Sequence, residues 1–171
     1  MNQYIKLAQD AVEAYIKGRK IIKAPDDLPQ EFYNQRAGVF VTIFNNKKLR
    51  SCIGTFIATE DNIAAELISN AIAACSRDTR FSKITADELP NLNYEVSILS
   101  EPKFVDDIKK LDAKKYGVIV ATADGRRGLL LPNLEGVDSV AEQISIASKK
   151  GGINIEKDDF ELYSFTVEKY K

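Results

Sequence analysis

The sequence predicts an α+β fold built on antiparallel sheet, and three observations lead there. Two tight hairpins are legible. In the first, Gly38 to Phe44 and Leu49 to Phe56 flank Asn45-Asn46-Lys47-Lys48; in the second, Tyr116 to Ala123 and Arg127 to Leu131 flank the turn dipeptide Asp124-Gly125. Elements run strand, strand, helix, strand, without the regular strand–helix alternation of a doubly wound sheet. Finally, 171 residues with 44% hydrophobic and 29% charged side chains suit one ordinary domain or two small lobes, and argue against disorder.

Each element has a local cause. Ile5, Ala8, Ala11, Val12, Tyr15 and Ile16 fall at helical spacing, so residues 3 to 20 form a helix with Gly18 near its end. Ala24-Pro25-Asp26-Asp27-Leu28-Pro29 is a loop, because its two prolines and acidic turn residues leave no room for an element. Gly38 to Phe44 is rich in Val, Phe and Ile and reads as a strand, answered by Leu49 to Phe56. Thr59 is expected to cap a long helix reaching about Arg77, with Ile63, Leu67, Ala71, Ile72 and Cys75 on its inner stripe. Thr85 and Glu88 have capping-box spacing for a short helical turn before Pro90. Leu92 to Leu99 alternates apolar with polar residues, and is a strand. A short helix is expected over 106–111, and Ser139 with Glu142 caps a helix ending at Gly151-Gly152. Phe160 to Val167 is expected to close the chain as one strand. The block from about 106 to 157 has its own helices and hairpin, so it is expected to form a smaller lobe. The larger lobe would then comprise about 1–105 and 158–171 of a single domain, 1–171.

Composition removes several function classes. Lys plus Arg number 24 and Asp plus Glu 25, so no bulk field attracts nucleic acid or a membrane surface. Lys109-Lys110 with Lys114-Lys115 reads as a solvated face. The amino-terminal residues resemble an amphipathic helix rather than a secretion signal, and no apolar run spans a bilayer; a soluble, cytoplasmic protein is expected. Two cysteines, Cys52 and Cys75, fit a reducing compartment and cannot build a four-ligand metal centre. The chain has no histidine, which excludes Ser–His or Cys–His pairs and histidine ligands. No glycine-rich nucleotide loop is present, and neither cofactor nor metal is expected.

What remains is a constellation around Leu49-Arg50-Ser51-Cys52-Ile53-Gly54-Thr55-Phe56. Strand alternation puts Arg50, Cys52 and Gly54 on one face, where the guanidinium would favour a thiolate and Gly54 would leave the sulfur approachable. Cys52 is then a nucleophile or carrier, with Gly54 and Thr55 beside it for a ligand. The competing reading is a packed cysteine, with Arg50 held by a neighbouring carboxylate. Cys75, on the apolar stripe of its helix, reads as core. Asp78 and Arg80 either tie off that helix or bring an anion-binding fork to the Cys52 site. Glu95 stands on the polar parity of its strand, either as an acid–base group or as a solvated carboxylate.

Three blocks also resemble a known family. Leu-Arg-Ser-Cys-Ile-Gly-Thr-Phe is similar to the signature of the AMMECR1 domain family, whose usual form has glycine where this chain has Ser51. Ser76-Arg77-Asp78-Thr79-Arg80-Phe81 before Asp87-Glu88-Leu89-Pro90, and Gly128-Leu129-Leu130-Leu131-Pro132, resemble the family's later motifs in the same order. The resemblance implies a two-lobed fold with the cysteine motif at the lobe junction, and adds Arg127 as a cleft-lining residue. It implies no settled activity. Two functions follow: a cysteine-dependent enzyme or enzyme component with a small anionic ligand, or a non-catalytic adaptor. Family members occur with dioxygenase-like and radical-SAM proteins, which the second reading takes as partners.

Overall fold

The computed structural model describes residues 2–171, and the helices and sheets form the mixed, antiparallel architecture that the sequence predicts. The chain divides into two compact units, Met1–Leu99 with Glu168–Lys171, and Ser100–Val167.

The first unit packs two long helices on one face of a sheet. Helix α1 (Gln3–Gly18) is started by Asn2, whose side chain accepts the Tyr4 N–H at 2.9 Å, and ends at Arg19 in the left-handed region. A one-turn helix α2 (Glu31–Asn34), absent from the sequence expectations, delivers fully buried Phe32 onto the Tyr4 ring. Strands β1 (Gly38–Asn45) and β2 (Lys48–Gly54) form the first hairpin. Helix α3 (Ile63–Arg77) follows, then a 3₁₀ turn, Ala86–Asn91, and strand β3 (Leu92–Leu99). The sheet order is β2-β1-β3-β8, with β8 (Val167–Tyr170) last in the chain. Val39, Val41, Ile43 and Val96 alternate toward the helices and meet Ala8, Val12, Leu67 and Ala71 in one core. Each of the larger aliphatic side chains contributes about 1.5–3 kcal/mol by leaving water.

The expected Thr59 cap is displaced. Asn62 caps α3 instead, accepting the Ala65 N–H at 3.0 Å, while the backbone and hydroxyl of Thr59 turn to Glu66. Helix α3 therefore begins three residues later than the pattern suggests. A buried carboxylate in its first turn recruits the approach loop as its ligand shell.

The second unit has its own sheet, β4-β7-β5-β6, formed from β4 (Lys103–Phe104), β5 (Gly117–Ala121), β6 (Arg127–Leu130) and β7 (Glu161–Phe165). Helix α4 (Val140–Lys150) starts with the Ser139–Glu142 capping box and packs Ile144 and Ala147 on Val118, Val120, Leu130 and Leu162. Between β4 and β5 the expected short helix is a 3₁₀ turn, Ile108–Lys110. The segment 160–167, expected as one closing strand of the larger lobe, is two strands that part at Thr166. β7 pairs with β5 in the second sheet, whereas β8 joins the first. Ser100 fixes the break, since its N–H donates to the Thr166 carbonyl and its hydroxyl accepts the Thr166 N–H.

Candidate functional site

The first hairpin does not keep simple alternation. Phe44 faces Leu49 and Ile43 faces Ser51, so Arg50 is an extra residue bulged into β2. A bulge bends its strand and re-aims the side chain it inserts. Arg50 accordingly does not reach toward the thiol. Its guanidinium donates to both carboxylate oxygens of Glu88, at 2.7 and 3.1 Å, and to the Ser82 and Lys83 carbonyls at 2.8 and 3.2 Å. The fork lowers the Glu88 carboxyl from its usual 4.5 to about 2, chiefly through the hydrogen bond from Arg50. Glu88 also closes the capping box with Thr85, as expected. Arg50 is thus a clamp on residues 82–88, and the assignment of thiolate activation to it is corrected. Arg50→Ala is expected to cost about 2 kcal/mol, because it strands a half-buried carboxylate and two carbonyls. Urea unfolding measures this directly, and a loss under about half a kcal/mol would mean that solvent already screens the pair.

Cys52 is held by its backbone. β2 is the edge of its sheet, so the residue's outward N–H and C=O have no strand partner. Asp78, at the carboxyl end of α3, accepts the Cys52 N–H at 3.0 Å, and Arg80 donates to the Cys52 carbonyl at 2.9 Å. Asp78 and Arg80 are themselves joined, Nε to Oδ1 at 2.9 Å and Nη2 to Oδ2 at 2.8 Å. The Arg80 guanidinium, with further donors from Cys52 and its own backbone, holds the Asp78 carboxyl far below the usual carboxylate range. Ser51, where the resembling motif has glycine, points into the core and donates to the Ala74 carbonyl at 2.6 Å and to Asp78 at 3.2 Å. Its hydroxyl adds one more tie between β2 and the end of α3.

The Cys52 thiol leaves this clamp on the sheet face turned away from the helices, where it is half-buried. Thr42 stands opposite it across β1, and the Thr42 hydroxyl donates to Sγ at 3.2 Å. Thr42 also faces Glu95 of β3, so Cys52, Thr42 and Glu95 form one row across three strands. Glu95 is paired with Lys171 at 3.1 Å and Lys169 at 3.9 Å. Thr42 escapes sequence reasoning because counting back from the two-residue turn places Ser51 opposite it; only the bulge at Arg50 brings Cys52 there.

The other candidates have settled local roles. Gly54 does not leave open space beside the sulfur, because the Phe40 ring from the facing strand lies over it. The Thr55 hydroxyl donates to Glu66 and accepts from Asn70 at 3.1 Å. Arg127 is exposed on β6, in the second unit. Cys75 is buried in the core, as its helical position suggests, and burial pushes its thiol up to about 11. Among the described residues no group of His, Cys, Asp and Glu side chains could hold a metal ion, and no helix is long and apolar enough to cross a membrane.

The architecture and motifs can be set beside known proteins. The family model described as AMMECR1 matches residues 5–170. A protein of Thermotoga maritima is 48% identical over 169 residues, covering 98% of this chain and 97% of its own length. One from Clostridium acetobutylicum is 42% identical over 169 residues, yet the match takes in only 36% of that longer protein. The crystal structure of an uncharacterized protein from Pyrococcus horikoshii superposes with a TM-score of 0.83 at 31% identity, covering 97% of this chain and 88% of that one. With both its motifs and its fold matched over nearly the whole length, this chain belongs to the AMMECR1 family.

Proposed function

We propose that the protein is a cysteine-dependent enzyme or enzyme component acting on a small anionic molecule, with the Cys52 thiol as nucleophile or carrier. The observation behind this reading is the contrast between its two cysteines. Cys75 is sealed in the core, whereas Cys52 stands outside it, on a backbone clamped at N–H and C=O, with a hydroxyl donor on its sulfur. Thr42 would orient the sulfur and stabilise negative charge on it, and Glu95, one strand further on, would serve as the acid–base group. Arg80, whose side chain is 57% exposed, would meet the substrate's anionic group. In a nucleophilic step the sulfur would bond to an electrophilic carbon as the leaving group departs with its electron pair, the thiol proton having passed to solvent.

A second reading has its own support. Arg50 and Arg80 are both neutralised within the chain, by Glu88 and Asp78, and the Clostridium relative carries the matching region inside a much longer protein. A non-catalytic adaptor working with dioxygenase-like and radical-SAM proteins would need no free charge at this place.

Alkylation by iodoacetamide, followed residue by residue by mass spectrometry, tests the first reading. Cys52 is expected to react at least about a hundredfold faster than Cys75. Thr42→Val should slow it and Thr42→Ser should restore it. A Cys52 as inert as Cys75 in the folded protein would sink the nucleophile and leave the adaptor.

A further inference from the structure

A second place in the first unit has the form of a ligand site; it shares Glu95 with the Cys52 row, but the thiol does not line it. A cavity of about 700 Å³ opens at the end of the sheet where α1, the β1–β2 turn and the start of β3 meet. That volume lies in the range of small-molecule sites. Its apolar part comes from Ile5, Phe44 and Leu92, and its charged groups are Lys47, Glu95 and Lys171. Glu95 is already paired with Lys171 and Lys169, whereas Lys47 takes part in no ion pair among the described residues. The cavity therefore presents, beside its apolar wall, one solvent-exposed lysine without an ion-pair partner among the described residues.

The conformation of Lys47 gives this charge more weight. Asn46 and Lys47 form the two-residue hairpin turn with φ of 49° and 67°, both in the left-handed region. Such a turn favours glycine at its second position, where a side chain is disfavoured. Here the sequence has lysine instead, at a cost to the turn, and that lysine lines the cavity.

We infer that this cavity binds a small organic carboxylate with an apolar body, its carboxylate on Lys47 and its apolar part on Ile5, Phe44 and Leu92. A bare inorganic anion would leave the wall unused, and an uncharged apolar molecule would leave Lys47 without a partner.

The test uses 3-phenylpropionate as probe, with 3-phenylpropanol and inorganic phosphate as the uncharged and purely ionic comparisons. Titrations are followed by amide shifts in the full chain. Saturable shifts at Asn2 to Gln9, Lys47 and Leu92 to Glu95 are expected with the acid, and at least about tenfold weaker binding with either comparison. Lys47→Gly separates the roles of turn and site, because it should raise the unfolding midpoint while weakening the acid by a similar factor; Lys47→Arg should keep binding. No saturable shifts at millimolar acid, or equal binding by wild type and Lys47→Gly, would overturn the inference. Neither result bears on the thiol, whose reactivity is read separately.

Discussion

Glu66→Ala is expected to destabilise the first unit by about 3–5 kcal/mol. Glu66 is fully buried in the first turn of α3 and pairs with no cation among the described residues. Five donors serve its carboxylate instead. The hydroxyls of Thr55 and Thr59 and the Asn70 amide donate to Oε1, and the Thr59 and Glu60 N–H groups donate to Oε2 at 2.7 Å each. The positive end of α3 adds to this. Burial alone would raise its pKa, but the hydrogen bonds from Thr55, Glu60 and Thr59 outweigh it and hold the group below its ordinary value. Alanine would leave these donors facing a void. Glutamine can still accept from the two backbone N–H groups and donate to the hydroxyls, and conflicts mainly with the Asn70 amide, so Glu66→Gln should cost only about 1–2 kcal/mol.

The sign of the pH dependence follows from the same carboxylate. Its folded pKa is depressed, so its contribution is present above the unfolded value and is lost as pH falls through the folded one. Glu88 adds to this, over a window from its usual 4.5 down to about 2. Stability should therefore fall steadily on acidification, and Glu66→Gln should show a shallower fall than wild type. Urea unfolding at a series of pH values measures both slopes; parallel curves would remove Glu66 from the acid response.

The contrast between Glu66 and the hairpins shows what a sequence makes legible here. Where structure is decided within a few residues, the reading holds: β3 spans the expected residues 92–99, and the Thr85–Glu88 and Ser139–Glu142 boxes form at their predicted places. Where a distant partner decides, it does not. Glu66 looks like an ordinary glutamate at a helix start, because its donors are an approach loop and a strand end that no local pattern ties to it. The bulge at Arg50 has no glycine to announce it, yet it sends the guanidinium to Glu88 and sets Thr42 against Cys52. The candidate site was therefore readable as a place, from its motif and its cysteine. The partners of each group were set by one extra strand residue and by the chain that covers the β2 edge.

Gly128→Ala is expected to cost the second unit about 2–4 kcal/mol, more than its added methyl group suggests. Gly128 faces α4 from β6, and a Cβ built there would overlap the Ala147 carbonyl oxygen and lie 2.7 Å from the Ala147 carbon and 2.8 Å from the Gly151 nitrogen. Gly151 returns the contact, since a Cβ on it would stand 2.6 Å from the Gly128 nitrogen. These obstacles are backbone, so no rotamer change relieves them, and α4 would have to lift from the strand. Lifting it opens the contacts of Ile144 and Ala147 with Val118, Val120 and Leu130, which are most of that unit's core. Gly18→Ala is the matched control: nothing lies within 4 Å of its would-be Cβ, and at a helix end alanine should be neutral or slightly stabilising. Denaturant midpoints of the two variants should separate clearly. If they moved together, the glycine in Gly128-Leu129-Leu130-Leu131-Pro132 would have to answer to something other than the seating of α4, because the packing argument admits no small effect at one position and a comparable one at the other.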